Sequence, residues 1–181
     1  TNASMPDRMV RYLEYILPKY RNTYFRIAFS IDGIQDEHDV NRSMPGSFKK
    51  IEKSFELISP LRKKYNNLVL DSNTVLTSNT QGKIVEILKY IDDHFDFDNL
   101  TVTYARGDIK DPELKTKAEK EYRVMNDFLN KRERKKEKRF LYPLYRGVRD
   151  VAWNNLMKTV FEDKFVTPCV AGKKLVVISE T

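Results

Sequence analysis

Apolar residues recur at helical spacing from Pro6 to about Lys19, where Met9, Val10, Leu13, Ile16 and Leu17 mark one face. Ser4 reads as the N-cap of this helix, Pro6 suits its first turn, and Asp7 complements the N-terminal dipole. The run Tyr24-Phe25-Arg26-Ile27-Ala28-Phe29-Ser30-Ile31 is rich in aromatic and β-branched residues and stops at Asp32-Gly33, so it predicts a buried strand closed by a turn. A polar loop then leads to Pro45-Gly46, with Ser47 as the cap of a second helix carrying Ile51, Phe55, Leu57, Ile58 and Leu61. Leu68 to Leu76 predicts a second strand. Thr80 to about Phe95 predicts a third helix, with Ile84, Ile87, Leu88 and Ile91 inward, and Leu100 to Tyr104 a third strand closed by Arg106-Gly107-Asp108.

Strands alternating with helices of this length imply βαβ crossovers and a parallel sheet, an α/β fold. Beyond Asp108 the pattern changes. Pro112 to about Arg139 predicts one long charged helix bearing Leu114, Tyr122, Met125, Phe128 and Leu129, and Leu141 to Phe161 another containing Trp153, Leu156 and Met157. The stretch from Cys169 through Ala171-Gly172 to Ser179 predicts a turn leading into a short terminal strand.

Period-two alternation sorts the strands into faces. Ile27, Phe29 and Ile31 share one side of the first strand, and Ala28, Ser30 and Asp32 the other. In the second strand Asp71, Asn73 and Val75 share a side, with Leu70 and Leu76 opposite. Where helices cover the apolar side, Ser30 and Asp32 face the other side near the carboxyl ends of the strands, where parallel sheets collect ligands. Buried Ser, Asp and Asn groups demand partners. A polar ligand would satisfy them, and so would water or each other.

Composition narrows the class. Hydrophobic residues make up 40% and charged residues 33%, a folded rather than a disordered balance. No apolar run approaches the roughly 20 residues that span a bilayer, and nothing reads as a secretory signal. Cys169, the one cysteine, excludes an internal disulfide framework and fits a reducing, cytoplasmic setting. The opening Thr1-Asn2-Ala3-Ser4 lacks an initiator Met, as expected of a fragment or a processed piece. The net charge is +7, but much of the excess lies in residues 131–139, a run without interleaved aromatics for base stacking. That distribution favours a solvated helical face over a nucleic-acid partner.

Several segments resemble radical S-adenosylmethionine (SAM) enzymes, most closely the branch that matures sulfatases and ribosomal peptides. Ser30-Ile31-Asp32-Gly33, His38-Asp39, Arg42 and Pro45-Gly46-Ser47-Phe48 look like the fourth strand of that family and its following loop. Thr1-Asn2 resembles the end of the third strand, with Ala3 in place of a usual Gly; Asn73-Thr74-Val75-Leu76-Thr77 resembles the fifth, and Tyr104-Ala105-Arg106-Gly107-Asp108 the close of the sixth. Cys169 and Ala171-Gly172 are similar to the opening of a C-terminal extension that binds auxiliary iron–sulfur clusters.

The resemblance implies part of a (β/α)6 partial barrel over residues 1–110, a charged helical connector over 111–165, and the start of an auxiliary-cluster extension over 166–181. It implies that Ser30 and Asn73 contact SAM, that Arg42 pairs with the SAM carboxylate, and that Asp32 either binds ligand or caps the turn. His38 and Asp39 order the loop. Cys169 either ligates a cluster or is a small buried residue, and Tyr104 and Arg106 are substrate-contact candidates by position alone. The family holds a catalytic [4Fe-4S] cluster on a CxxxCxxC motif, which these 181 residues lack. The implied function is therefore that of a portion of an iron–sulfur oxidoreductase, completed by an upstream barrel half and abstracting hydrogen from a peptide or small molecule. A non-catalytic barrel piece, or a basic module binding RNA or another anionic partner, is the alternative.

Overall fold

The computed structural model describes residues 1, 3–105, 112–114, 118–134, 142–162, 164 and 166. The chain divides into two compact units, Thr1–Leu129 and Asn130–Thr181. In the first unit, helix α1 (Pro6–Lys19) leads to strand β1 (Phe25–Ser30), a short helix α2 (Asp36–Asn41), α3 (Ser47–Ile58) and the single turn α4 (Leu61–Lys64). Strand β2 (Leu68–Leu76), helix α5 (Ile84–His94) and strand β3 (Asn99–Tyr104) follow. A 3-10 turn at Pro112–Leu114 precedes α6 (Glu119–Arg134), and α7 (Tyr142–Phe161) belongs to the second unit. No helix among the described residues is long and apolar enough to cross a membrane.

The three strands form one parallel sheet in the order β1-β2-β3. Strands that follow one another in sequence, joined by right-handed crossovers, keep their helices on one face. The packing agrees. The ring of Phe29 in β1 lies 6.1 Å from that of Phe55 in α3, and Phe48 in α3 lies 6.2 Å from Tyr90 in α5. Phe97, just before β3, closes the cluster at 4.7 Å from Phe55 and 5.4 Å from Phe29. Helix α1 packs along α3, burying Leu13, Ile16 and Leu17. Leu70 and Leu76 are fully buried on this face, whereas Arg26, Thr101 and Thr103 on the other are exposed.

Thr1 lies on the free edge of β1. Its amine donates to the Ala28 carbonyl at 2.7 Å, and its own carbonyl accepts from the Ser30 N–H at 3.0 Å. That exchange is the rung of a parallel ladder.

The element boundaries differ from the sequence expectations where a distant group replaces a local one. Met5, not Ser4, occupies the N-cap of α1, and Pro6 opens the helix without a side-chain cap. Gly46, at φ 74°, holds the N-cap of α3, and the cap is supplied by Asp39, seven residues earlier. The Asp39 carboxylate accepts from the Phe48 N–H and the Ser47 hydroxyl, both at 2.8 Å. Pro60 sits between α3 and α4, so Leu61 lies on a separate turn. The third helix starts at Ile84 rather than Thr80, because Thr80 is used in the turn: its hydroxyl accepts from the Thr77 N–H at 2.8 Å and donates to the Val75 carbonyl at 3.1 Å. The terminal strand expected after Cys169 lies outside the described residues.

Asn67 fixes the entry to the sheet. Its buried side-chain amide nitrogen is shared among the carbonyls of Leu17, Tyr20 and Thr23, at 3.2, 3.0 and 3.1 Å. Leu17 lies in the last turn of α1 and Tyr20 and Thr23 in the turn that follows, and a buried carbonyl without a donor costs about 1–3 kcal/mol. Asn67→Ala is therefore expected to destabilise the fold by about 2–3 kcal/mol in urea denaturation. Asn67→Asp should cost more, since a carboxylate facing three carbonyls offers no donor.

Candidate functional site

The loops at the carboxyl ends of β1 and β2 meet around Asp32. Strand β1 stops at Ser30, so its ladder cannot continue to the Val75 N–H of β2; the Asp32 carboxylate accepts that proton instead, at 2.8 Å. The second carboxylate oxygen holds Arg42 Nε at 2.6 Å. The Asp32 N–H donates to His38 Nδ1 at 3.0 Å, and its carbonyl accepts from the Asn41 side chain at 2.6 Å. Every polar group of Asp32 thus has a partner within the protein, and these contacts close the turn.

Arg42 is committed to the same carboxylate through Nε, with its side chain about one-third exposed at 35%. The chain thus supplies an internal carboxylate partner at Nε, beside the external one that the resemblance implied for the guanidinium. His38 and Asp39 order the loop as expected. His38 packs edge-on against Phe48, with ring centres 5.8 Å apart, and Asp39 caps α3. The Phe48 N–H chiefly, with the Ser47 hydroxyl and the Gly46 N–H, holds the Asp39 carboxyl below its usual range. Gly33 is required by contact: a Cβ there would lie 2.7 Å from the His38 nitrogen, closer than real Cβ atoms come.

Ser30 and Asn73 are register partners on the face away from the helices, and Thr101 of β3 continues their row. Alternation along Asn99-Leu100-Thr101-Val102-Thr103 carries Thr101 to this face, a signal present in the sequence itself. The side-chain oxygen of Asn73 is shielded from solvent and has no hydrogen-bond partner in the structure. Ser72 and Thr74 also have buried hydroxyls without a partner, but both lie on the helix-covered face. Toward the amino ends the same open face carries Asp71, which is buried. It pairs with Arg26 at 3.0 Å and accepts from the Asn99 side chain at 2.7 Å, so its charge is answered internally.

Tyr104 is not part of this row. It pairs in register with Leu76 on the helix-covered side, and its ring meets Tyr122 of α6 at 6.2 Å. Burial pushes its phenol upward. Arg106 and Cys169 lie outside the described residues. The structure therefore brings Ser30 and Asn73 together on the open face, joins Asp32 to Arg42 beside them, and separates Tyr104 from all four. No family model, curated protein or solved structure matches this chain.

The His38 contact makes a pH-dependent stability. Burial holds the imidazole below its ordinary range; Asp32 opposes that shift, and Arg42 adds to it. With the folded value lowered, the unfolded chain binds the proton first, so stability falls as pH drops below about 6.5 toward the folded value. His38→Asn keeps an acceptor near the Nδ1 position but does not titrate. Thermal melts are expected to show a decline as pH falls below about 6.5 in the native chain that flattens in His38→Asn. An unchanged slope would place the titration elsewhere.

Proposed function

We propose that this chain forms the carboxyl-terminal part of a radical SAM-type partial barrel, and that Ser30 and Asn73 contact S-adenosylmethionine on its inner face. The observation that carries the reading is the Asn73 side-chain oxygen, sheltered and unpartnered beside Ser30 at the carboxyl end of the central strand. A buried acceptor of this kind costs about 1–3 kcal/mol unless a ligand or water donates to it, and a ribose hydroxyl or amine is such a donor. The sequential parallel sheet, with helices on one face and polar side chains on the other, is also the arrangement that one arc of a barrel requires.

The residues fit the two cofactors unequally. Ser30 and Asn73 suit a ligand bearing hydroxyls and an amine, whereas a single cysteine cannot provide the thiolates of a four-iron cluster. In this chemistry SAM, cleaved reductively at such a cluster, supplies the group that abstracts hydrogen from a peptide or small-molecule substrate. The chain's own part is to bind and orient: Ser30 and Asn73 at the ligand, with the Asp32–Arg42 pair holding the adjoining loop. The cluster ligands belong to an upstream barrel half, and hydrogen abstraction to the complete protein.

Titrating SAM into isotopically labelled chain is expected to shift the amide signals of Ser30, Asn73 and their strand neighbours. Asn73→Ala, checked for folding by circular dichroism, should weaken that binding about tenfold, the loss of one to two kcal/mol of hydrogen bonding. Absence of shifts at Ser30 and Asn73 at millimolar ligand, or equal binding by Asn73→Ala, would overturn the reading.

A further inference from the structure

The charge that is interleaved with aromatic rings lies on α1 and the turn after it, not in the run at 131–139. Arg8, Tyr12, Tyr15 and Lys19 are spaced by four, three and four residues, which aligns them in one stripe along α1 over roughly 16 Å. The core residues Leu13 and Leu17 point well away from it, and Asp7 and Glu14 fall more than a quarter turn to the far side. Glu14 is moreover within electrostatic reach of Lys64 in α4. The stripe continues into the turn through Tyr20, Arg21 and Tyr24.

The rings are open to solvent. Tyr12, Tyr15, Tyr20 and Tyr24 are 63%, 63%, 46% and 78% exposed, although tyrosine is ordinarily half-buried or better. Lys19 Nζ lies 5.3 Å from the ring centres of both Tyr15 and Tyr20, which sets a cation between two aromatic faces. The platform is also held in place. The Asn67 side chain bonds the Tyr20 and Thr23 carbonyls, so the backbone of the turn is fixed before a ligand arrives.

From this surface we infer a binding site for single-stranded nucleic acid, with bases stacking on Tyr12, Tyr15 and Tyr24 and phosphates pairing with Arg8, Lys19 and Arg21. Exposed rings alternating with cations are what an unpaired strand engages, and a duplex, whose bases are stacked internally, does not present them. The partner is selected by local charge complementarity, since the surface presents Arg8, Lys19 and Arg21 while Asp7 and Glu14 fall off the stripe. Stacking is tolerant of sequence, so no base preference follows. This site is independent of the SAM reading, since it includes neither Ser30 nor Asn73 and Tyr12, Tyr15 and Lys19 lie on α1.

Fluorescence anisotropy with labelled uridine and thymidine dodecamers, using the whole chain, tests the inference. Both are expected to bind, with affinity falling on a log–log salt plot by about 0.7 for each phosphate contacted. The double variant Tyr12→Ala/Tyr15→Ala should weaken binding about tenfold or more at fixed salt, and Tyr12→Phe/Tyr15→Phe should retain it, because phenylalanine keeps the stacking face. Comparable affinity for the two sugars supports stacking and phosphate recognition, and a clear preference for one assigns the ligand to that sugar class. Unchanged affinity in the alanine pair would overturn the proposal, as would equal competition by inorganic polyphosphate, which has no bases. So would loss of binding on neutralising Lys135 and Lys136 alone. Tyrosine-dependent binding to phosphatidylcholine–phosphatidylserine vesicles, or tyrosine-dependent self-association, without oligonucleotide binding would equally overturn it.

Discussion

The carboxyl end of the sheet depends on one carboxylate. Asp32 accepts the Val75 N–H where β1 can no longer supply a backbone carbonyl, and so carries the ladder one rung past the end of the strand. Its other oxygen neutralises Arg42, and its backbone engages His38 and Asn41, which ties α2 to the sheet. Charged partners make such hydrogen bonds about twice as strong as neutral ones. The consequence is a loop with a fixed path, and Ser30, two residues before Asp32, inherits a fixed position from it.

A second carboxylate extends the order outward. Asp39 caps α3 from seven or more residues away, which lets Phe48 enter the helix with its ring turned onto His38, Tyr90 and Phe95. The polar loop and the aromatic core are thus joined at one helix start. Gly33 is the steric condition for that arrangement, since no side chain fits between the strand end and the His38 backbone.

The two faces of the sheet divide the chemistry. The helix-covered face is filled by Phe29, Leu70, Leu76 and the rings around Phe55, which fix the strands and enclose the Ser72 and Thr74 hydroxyls. The other face carries an internally paired cluster at Arg26–Asp71–Asn99 and an unfilled acceptor at Asn73. On one face of a central strand, a satisfied carboxylate and an unsatisfied amide oxygen are therefore only two residues apart. The exposed tyrosines of α1 lie apart from that face, on a helix whose buried side is spent on α3.

Much of this was legible in the sequence. The periods 3.6 and 2 located all three strands and the main helices of the first unit, and alternation assigned Ser30 and Asn73 to one face, because side-chain direction in a strand is a local property. Capping was not legible in the same way. Ser4 and Ser47 satisfy the local rule, yet Pro6 opens α1 without a side-chain cap and Asp39 reaches α3 across a loop whose path no local pattern reveals. The pairing of Asp32 with Arg42, the clash that demands Gly33, and the removal of Tyr104 to the helix-covered side also came only with the tertiary structure. Each depends on which residues the folded backbone brings within about 3 Å, the range over which hydrogen bonds and steric exclusion act. The sequence by itself determined the elements and their faces; the contacts that give each polar residue its task were decided by the fold.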